Sequence, residues 1–312
     1  MKKIRLSLTK IPKPNKKWLV AVVIIILLAA SQWWSIRMIY NQQFKGQTAL
    51  WLARVYHLSA GQAIKDEKQI KVVLYDYLIN KDLGQRYVAQ QLASGMKPGE
   101  VLSDENIGDA AWQKILKEAW LQEIAKQHGI KVTDQDVAEY LKGVDDLEAM
   151  KQSVTNGLKV SFSVYQKFII KPLVLEAKVY QYMLENFNDM DGIKKAQAAY
   201  DALVKEKRDF KEVAQEYSDD MQYIGNSLFL KESQLSNFDE PIKSLEPGGY
   251  SRIVILPGDP GAYVIWRLET KTTDPETQEN IYELRGIAVA AKSIGAFFND
   301  YLSGAQINRW YK

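Results

Sequence analysis

From Trp18 to Ile36 the chain carries no charged side chain, and the centre of that run reads Leu-Val-Ala-Val-Val-Ile-Ile-Ile-Leu-Leu-Ala-Ala. A helix rises about 1.5 Å per residue, so such a run nearly matches the roughly 30 Å hydrocarbon core of a bilayer. Trp18 stands at one end and Trp33 and Trp34 at the other, where amphipathic rings prefer the membrane interface. Residues 1–17 hold Lys2, Lys3, Arg5, Lys10, Lys13, Lys16 and Lys17 and no acid. The positive-inside rule keeps this basic tail in the cytoplasm, so the expected topology is a single pass at 18–36 with everything after Arg37 outside. A cleaved signal peptide shares much of this pattern, and Ala29-Ala30-Ser31 would supply its small residues. Against cleavage, Gln32-Trp33-Trp34 follows at once, and an amphipathic pattern runs on through Ile39, Phe44, Leu50, Trp51 and Val55. Either way the bulk of the chain is exported.

At 312 residues the chain has room for two domains, and 46% hydrophobic residues suffice for a core. The formal net charge is +3, and the seven basic residues of the tail leave −4 for the rest. Nothing after the tail has the clustered Lys and Arg of a nucleic-acid surface. There is no cysteine, which removes disulfides, thiolate nucleophiles and cysteine zinc sites. The two histidines, His57 and His128, are far apart in sequence. No metal cluster and no cofactor motif is evident.

Beyond the span, 37–58 reads as a juxtamembrane helix broken at Ser59-Ala60-Gly61, followed by a short strand-like piece and a helix from Ile70 to Ala93. A clear helix runs from Ala110 to Gln127, closed by His128-Gly129. Thr133 with Asp136 resembles a capping box, with Asp in place of the usual Glu, for a short helix through Tyr140. Ser161 or Ser163 starts a long helix to Glu185, and the polar stretch 186–191 marks a boundary. From Gly192 the pattern becomes two helices, to Glu206 and from Phe210 to Tyr217. Short β runs follow at 251–256, 262–268 and 282–289, then a helix from Ile294 to Leu302. The expected class is α+β, with a mostly helical module at 59–190, a small domain with an antiparallel sheet at 191–290, and a C-terminal helix and tail at 291–312.

These residues resemble a family, the SurA-like and PrsA-like extracytoplasmic foldases. Trp112 to Val137 is similar to the long helix, "Gly-Ile-x-Val-Thr/Ser-Asp" and short helix of their chaperone module, and Val164-Tyr165-Gln166-Lys167-Phe168 fits the helix after it. Phe210 to Asp220 resembles "Phe-x-x-Leu-Ala-x-x-Tyr-Ser-x-Asp" of the parvulin-type (PpiC-type) peptidyl-prolyl isomerase domain. Gly225-Asn226-Ser227-Leu228 resembles its "Gly-Gly-Asp-Leu", and Phe238-Asp239-Glu240 with Ser244 to Gly248 its "Phe-Glu-x-Ala … Leu-x-x-Gly". The family's opening "Arg-His-Ile" strand is missing before Gly192, whereas Leu284-Arg285-Gly286-Ile287 follows the last expected strand. The resemblance therefore implies a permuted domain whose first strand is supplied by 282–289. Gly286 then replaces one family histidine and Tyr263 the other.

Prolyl isomerisation requires no nucleophile. It requires an apolar grip on proline and polar groups that favour the twisted amide. The resemblance assigns Phe238, with Leu235 and Leu228, to substrate binding, and Asp220 and Tyr263 to the catalytic positions. The plainer alternatives are Phe238 as core, Asp220 as a turn acid and Tyr263 as an ordinary strand residue. The expected function is a membrane-anchored chaperone or foldase for unfolded or nascent exported polypeptides, with little or no catalysis. An active isomerase and a tethered scaffold for one partner are the alternatives. Cofactor and nucleic acid have no place in any of the three.

Overall fold

The computed structural model describes residues 16–41, 46–97, 99, 101–186, 191–220, 227–235, 240–256 and 258–311. Helix α1 (Lys16–Ile36) continues into a π-helical turn, Arg37–Asn41. Within them Val23–Tyr40 is long and apolar enough to cross a membrane. Its side chains from Val23 to Leu28 are more than half exposed, which sets it apart from a buried core helix. Helix α2 (Gln47–Val55) buries Ala49, Leu52 and Ala53, so the expected continuous helix over 37–58 is two pieces separated by residues outside the described set.

Two strands, β1 (Ser59–Lys65) and β2 (Lys68–Val73), precede helix α3 (Leu74–Ala93). Ile70 and Val72 are buried while Lys71 and Val73 are exposed, the period-2 alternation of a strand. The helix expected from Ile70 therefore starts at Leu74. Helix α4 (Asp104–His128) starts six residues upstream of the expected Ala110. The Ser103 hydroxyl accepts the Asn106 N–H at 3.3 Å there, and Asp104 and Glu105 sit in the first turn, where a carboxylate suits the helix dipole. Gly129 at φ +70° closes the other end, in the left-handed conformation that favours glycine.

Helix α5 (Asp134–Lys142) opens on the expected capping box: Thr133 Oγ1 accepts the Asp136 N–H, and the Asp136 carboxylate accepts the Thr133 N–H at 2.6 Å. Helix α6 (Leu147–Gln152) and the π-helical turn Ser153–Gly157 follow. Ser161 caps α7 (Phe162–Tyr165), which runs through a π-helical turn, Gln166–Ile170, into α8 (Lys171–Asn186). Proline lacks an N–H and its ring clashes with the carbonyl four residues back. The widened turn lies directly before Pro172, where that clash would otherwise fall.

Helices α9 (Asp191–Val204) and α10 (Phe210–Tyr217) come next, the second capped by the Asp209 carboxylate. Strand β3 (Leu228–Lys231), a one-turn helix α11 (Glu240–Lys243), β4 (Val254–Leu256), β5 (Ala262–Thr273) and β6 (Asn280–Ala290) complete a four-stranded antiparallel sheet in the order β3-β6-β5-β4. Strand β6 is thus internal, paired with both β3 and β5. Helix α12 (Ile294–Ser303) follows, and the segment expected to be a tail forms β7 (Gln306–Arg309). That strand joins a second sheet, ordered β2-β1-β7. The class is α+β.

The chain divides into two compact units by its contacts. Unit 1 comprises 1–63, 71–116 and 307–312, and unit 2 comprises 64–70 and 117–306. Within unit 2 the Tyr180 hydroxyl of α8 donates to the Lys292 carbonyl and accepts the Gly261 N–H at the start of β5. Helix α8 is thereby tied directly to the sheet.

Candidate functional site

Strand register decides which residues share a face, because successive side chains alternate. On β5 and β6, Val264 lies opposite Ala288 and Trp266 opposite Gly286. Val264, Trp266, Leu268, Tyr282, Leu284 and Ala288 form one buried cluster with Ile242 and Val254. Leu228 and Leu235, two of the three residues assigned to substrate binding, pack against this cluster. Phe238, the third, lies outside the described residues.

Tyr263 points to the other face. It is paired with Val289, fully buried, with its ring against Gly192 of α9. Its hydroxyl donates to the Leu184 carbonyl at 3.2 Å. Burial, and secondarily the neighbouring Tyr180, push its hydroxyl up to about 12. Tyr263 therefore does not share the face of Gly286, which on β5 belongs to Trp266 and Val264. The two positions that the resemblance assigns to histidines, Tyr263 and Gly286, thus stand on opposite faces of the sheet.

Gly286 leaves no void. A Cβ built there would lie 2.8 Å from Cζ3 and 3.0 Å from Cε3 of Trp266, whose indole fills the space. Gly286→His should thus overfill a close-packed cluster and lower stability by about 1–3 kcal/mol. A thermal melt that is unshifted would show that Trp266 swings aside and that the cluster has room for the larger side chain.

Asp220 belongs to a corner that covers the free edge of β6. The Asp219 N–H donates to the Ala288 carbonyl at 2.8 Å, the Ala288 N–H to Ser218 Oγ at 3.2 Å, and the Ala290 N–H to the Asp219 carboxylate at 3.0 Å. Ser218 Oγ also donates to the Asp220 carbonyl. The Ser218-Asp219-Asp220 motif thereby pairs backbone groups beyond the point where β3 stops. Asp220 stands in the turn after α10, and Tyr263 is fully buried on β5.

Unit 2 instead holds a cleft of about 460 Å³ among helices α4, α8 and the loop between α4 and α5. Ala125, Ile130, Val132, Pro172 and Leu175 give it apolar walls, and Lys126, Lys131, Lys167 and Lys171 stand around it, with Glu118 the acid among its lining residues. The loop residues Gly129 to Val132 belong to the "Gly-Ile-x-Val-Thr-Asp" segment, and Lys167 belongs to the Val164–Phe168 segment. The two stretches that carried the resemblance of the helical half thus meet at one cleft. Electrostatic ties fix its walls: Lys171 pairs with Asp134 at 3.0 Å and Lys178 with Asp136 at 2.8 Å. The Lys178 ammonium, then the Thr133 N–H and hydroxyl, lower the Asp136 carboxyl to about 2. Single-sequence reasoning missed this cleft, although the spacing of Lys126, Lys131, Lys167 and Lys171 was visible.

Among the described residues no group of three or more His, Asp or Glu is placed to hold a metal ion. His128, at the end of α4, stacks near Tyr182 with ring centroids 4.6 Å apart and shares a hydrogen bond with its hydroxyl. No family model matches the chain, and neither a curated protein nor a solved structure matches it.

Proposed function

We propose that the chain is a membrane-anchored extracytoplasmic chaperone that holds unfolded exported polypeptides, with its parvulin-like sheet serving as a scaffold without isomerase activity. The observation that carries the reading is the cleft at Ile130, Val132, Pro172 and Leu175, apolar within and lysine-bearing at its rim. Apolar burial is non-directional, so such a cleft accepts varied side chains, while the lysines favour acidic flanks. The internal position of β6 supports the permuted parvulin-like arrangement. The Trp266 indole over Gly286 and the inward burial of Tyr263 support the lack of catalysis. Turning the amide requires placed donors, and losing one costs about a hundredfold or more in rate.

The test uses the full chain in lipid nanodiscs. It should suppress aggregation of an unfolded exported protein, followed by light scattering, and leave a proline peptide isomerising at its uncatalysed rate. Lys131→Glu with Lys167→Glu should weaken the suppression at least fivefold. Isomerase activity near that of a complete parvulin would support the enzyme alternative. Binding confined to a single native partner, with no effect on unfolded chains, would support the scaffold alternative.

A further inference from the structure

We infer that the end of α2, through Trp51 and Val55, lies in the lipid headgroup layer on the side where α1 emerges, as a second, interfacial membrane contact. The inference rests on reading α1 as the anchor. The hydroxyl of Tyr56, directly after α2, is hydrogen-bonded to Ser31 Oγ of α1 at 2.7 Å. Farther along, Ile39 is fully buried and the Tyr40 hydroxyl donates to the Ser59 carbonyl, so the chain after Ile36 is already held by unit 1. Among the described side chains of α1, the last large apolar ones that remain open are Trp33 at 61% and Trp34 at 53% exposure. Ser31 lies about 3–5 Å to the membrane side of these tryptophans at the rise of a helix. The Ser31–Tyr56 bond therefore sets the end of α2 at the depth where Trp33 and Trp34 sit.

The residues at that depth suit lipid. Trp51 is 59% exposed and Val55 48%, and at i, i+4 they share one helix face, while Ala49, Leu52 and Ala53 occupy the buried face. A tryptophan with an aliphatic neighbour is the composition of an interfacial helix face. Charge agrees: no Asp or Glu occurs before Asp66, whereas Arg37 and Arg54 lie in this region. Their guanidinium groups sit over the Trp33 and Tyr75 rings at 5.6 and 6.0 Å. Cations with apolar stems are stable where phosphates meet acyl chains.

The chain lacks cysteine, so a single introduced thiol is unique. Trp51→Cys, Val55→Cys, Ile25→Cys and Glu139→Cys would each be labelled with an environment-sensitive fluorophore. The labelled full chains would be placed in vesicles of phosphatidylcholine and phosphatidylglycerol carrying nitroxides at the headgroup or deep in the acyl chains. Positions 51 and 55 should be quenched at least threefold more than position 139 by the headgroup nitroxide, and position 25 by the deep one. Deep quenching at 25 with 51 and 55 behaving like 139 would overturn the inference alone, and would be the result if a second copy covered this face. No quenching at 25 would overturn the anchor reading and the inference with it.

Discussion

Leu284→Asp should unfold the four-stranded sheet. Leu284 is fully buried at the middle of β6, opposite Leu228 on one side and Leu268 on the other. Deleting a buried leucine side chain costs about 2–5 kcal/mol, and an unpaired carboxylate in an apolar cluster adds several more. The total approaches the roughly 5–15 kcal/mol that holds a typical domain together. Hydrogen exchange of the full chain in nanodiscs is the measurement. Amides of 262–268 should exchange at the rate of an unfolded peptide in the variant. Protection kept within tenfold of the parent would mean that β6 is dispensable, and that the permuted-strand reading of this sheet is wrong.

Gly61→Val should have a comparable effect on unit 1. A Cβ at Gly61 would lie 2.2 Å from the Asn308 carbonyl oxygen and 2.6 Å from the Trp112 ring, and backbone cannot yield as a flexible side chain can. The substitution would expel β7 from its place beside β1. With β7 goes the seat of Arg309, whose guanidinium lies over the Tyr77 and Trp112 rings at 5.8 and 5.3 Å and binds Asp109 at 2.6 Å. The buried Tyr311, edge-on to Tyr77, would be lost too. Removing one buried aromatic costs about 3–5 kcal/mol, and the desolvated cation over its rings up to about 2 more. Exchange in 59–63 and 74–93 should quicken at least a hundredfold. If it does not, β7 is an ornament on a unit that stands without it.

Much of unit 2 was legible because its local signals agree with its tertiary environment. Helix α10 runs from Phe210 to Tyr217 as read, since Asp209 caps it and Phe210, Val213 and Ala214 repeat at helical spacing. The Thr133–Asp136 box and the Gly129 stop were likewise local chemistry. Strand β2 was not legible: Ile70, Val72 and Leu74 run into α3, and a short apolar run suits either period. Helix α6 and the turn after it bury only Val154, so they show no apolar stripe to detect. Which face Tyr263 takes was not legible either: a one-residue slip reverses every side chain on a strand, and only the pairing of Trp266 with Gly286 reveals the direction. Strand β7 is four residues long, and its partner lies in the first quarter of the sequence, beyond any local pattern.

The pairing of β1 with β7 sets a delay into maturation. Synthesis runs from the N-terminal side at about 5–20 residues per second, and 232 positions separate Tyr77 from Arg309, an interval of roughly 10–50 s. Throughout that interval β1 offers an open edge to any passing strand. A ribosome that stalls, or a protease that cuts before residue 306, makes the interval permanent. Such fragments keep an unsatisfied β1 edge, and the Tyr77 and Trp112 rings lose the guanidinium that lies over them.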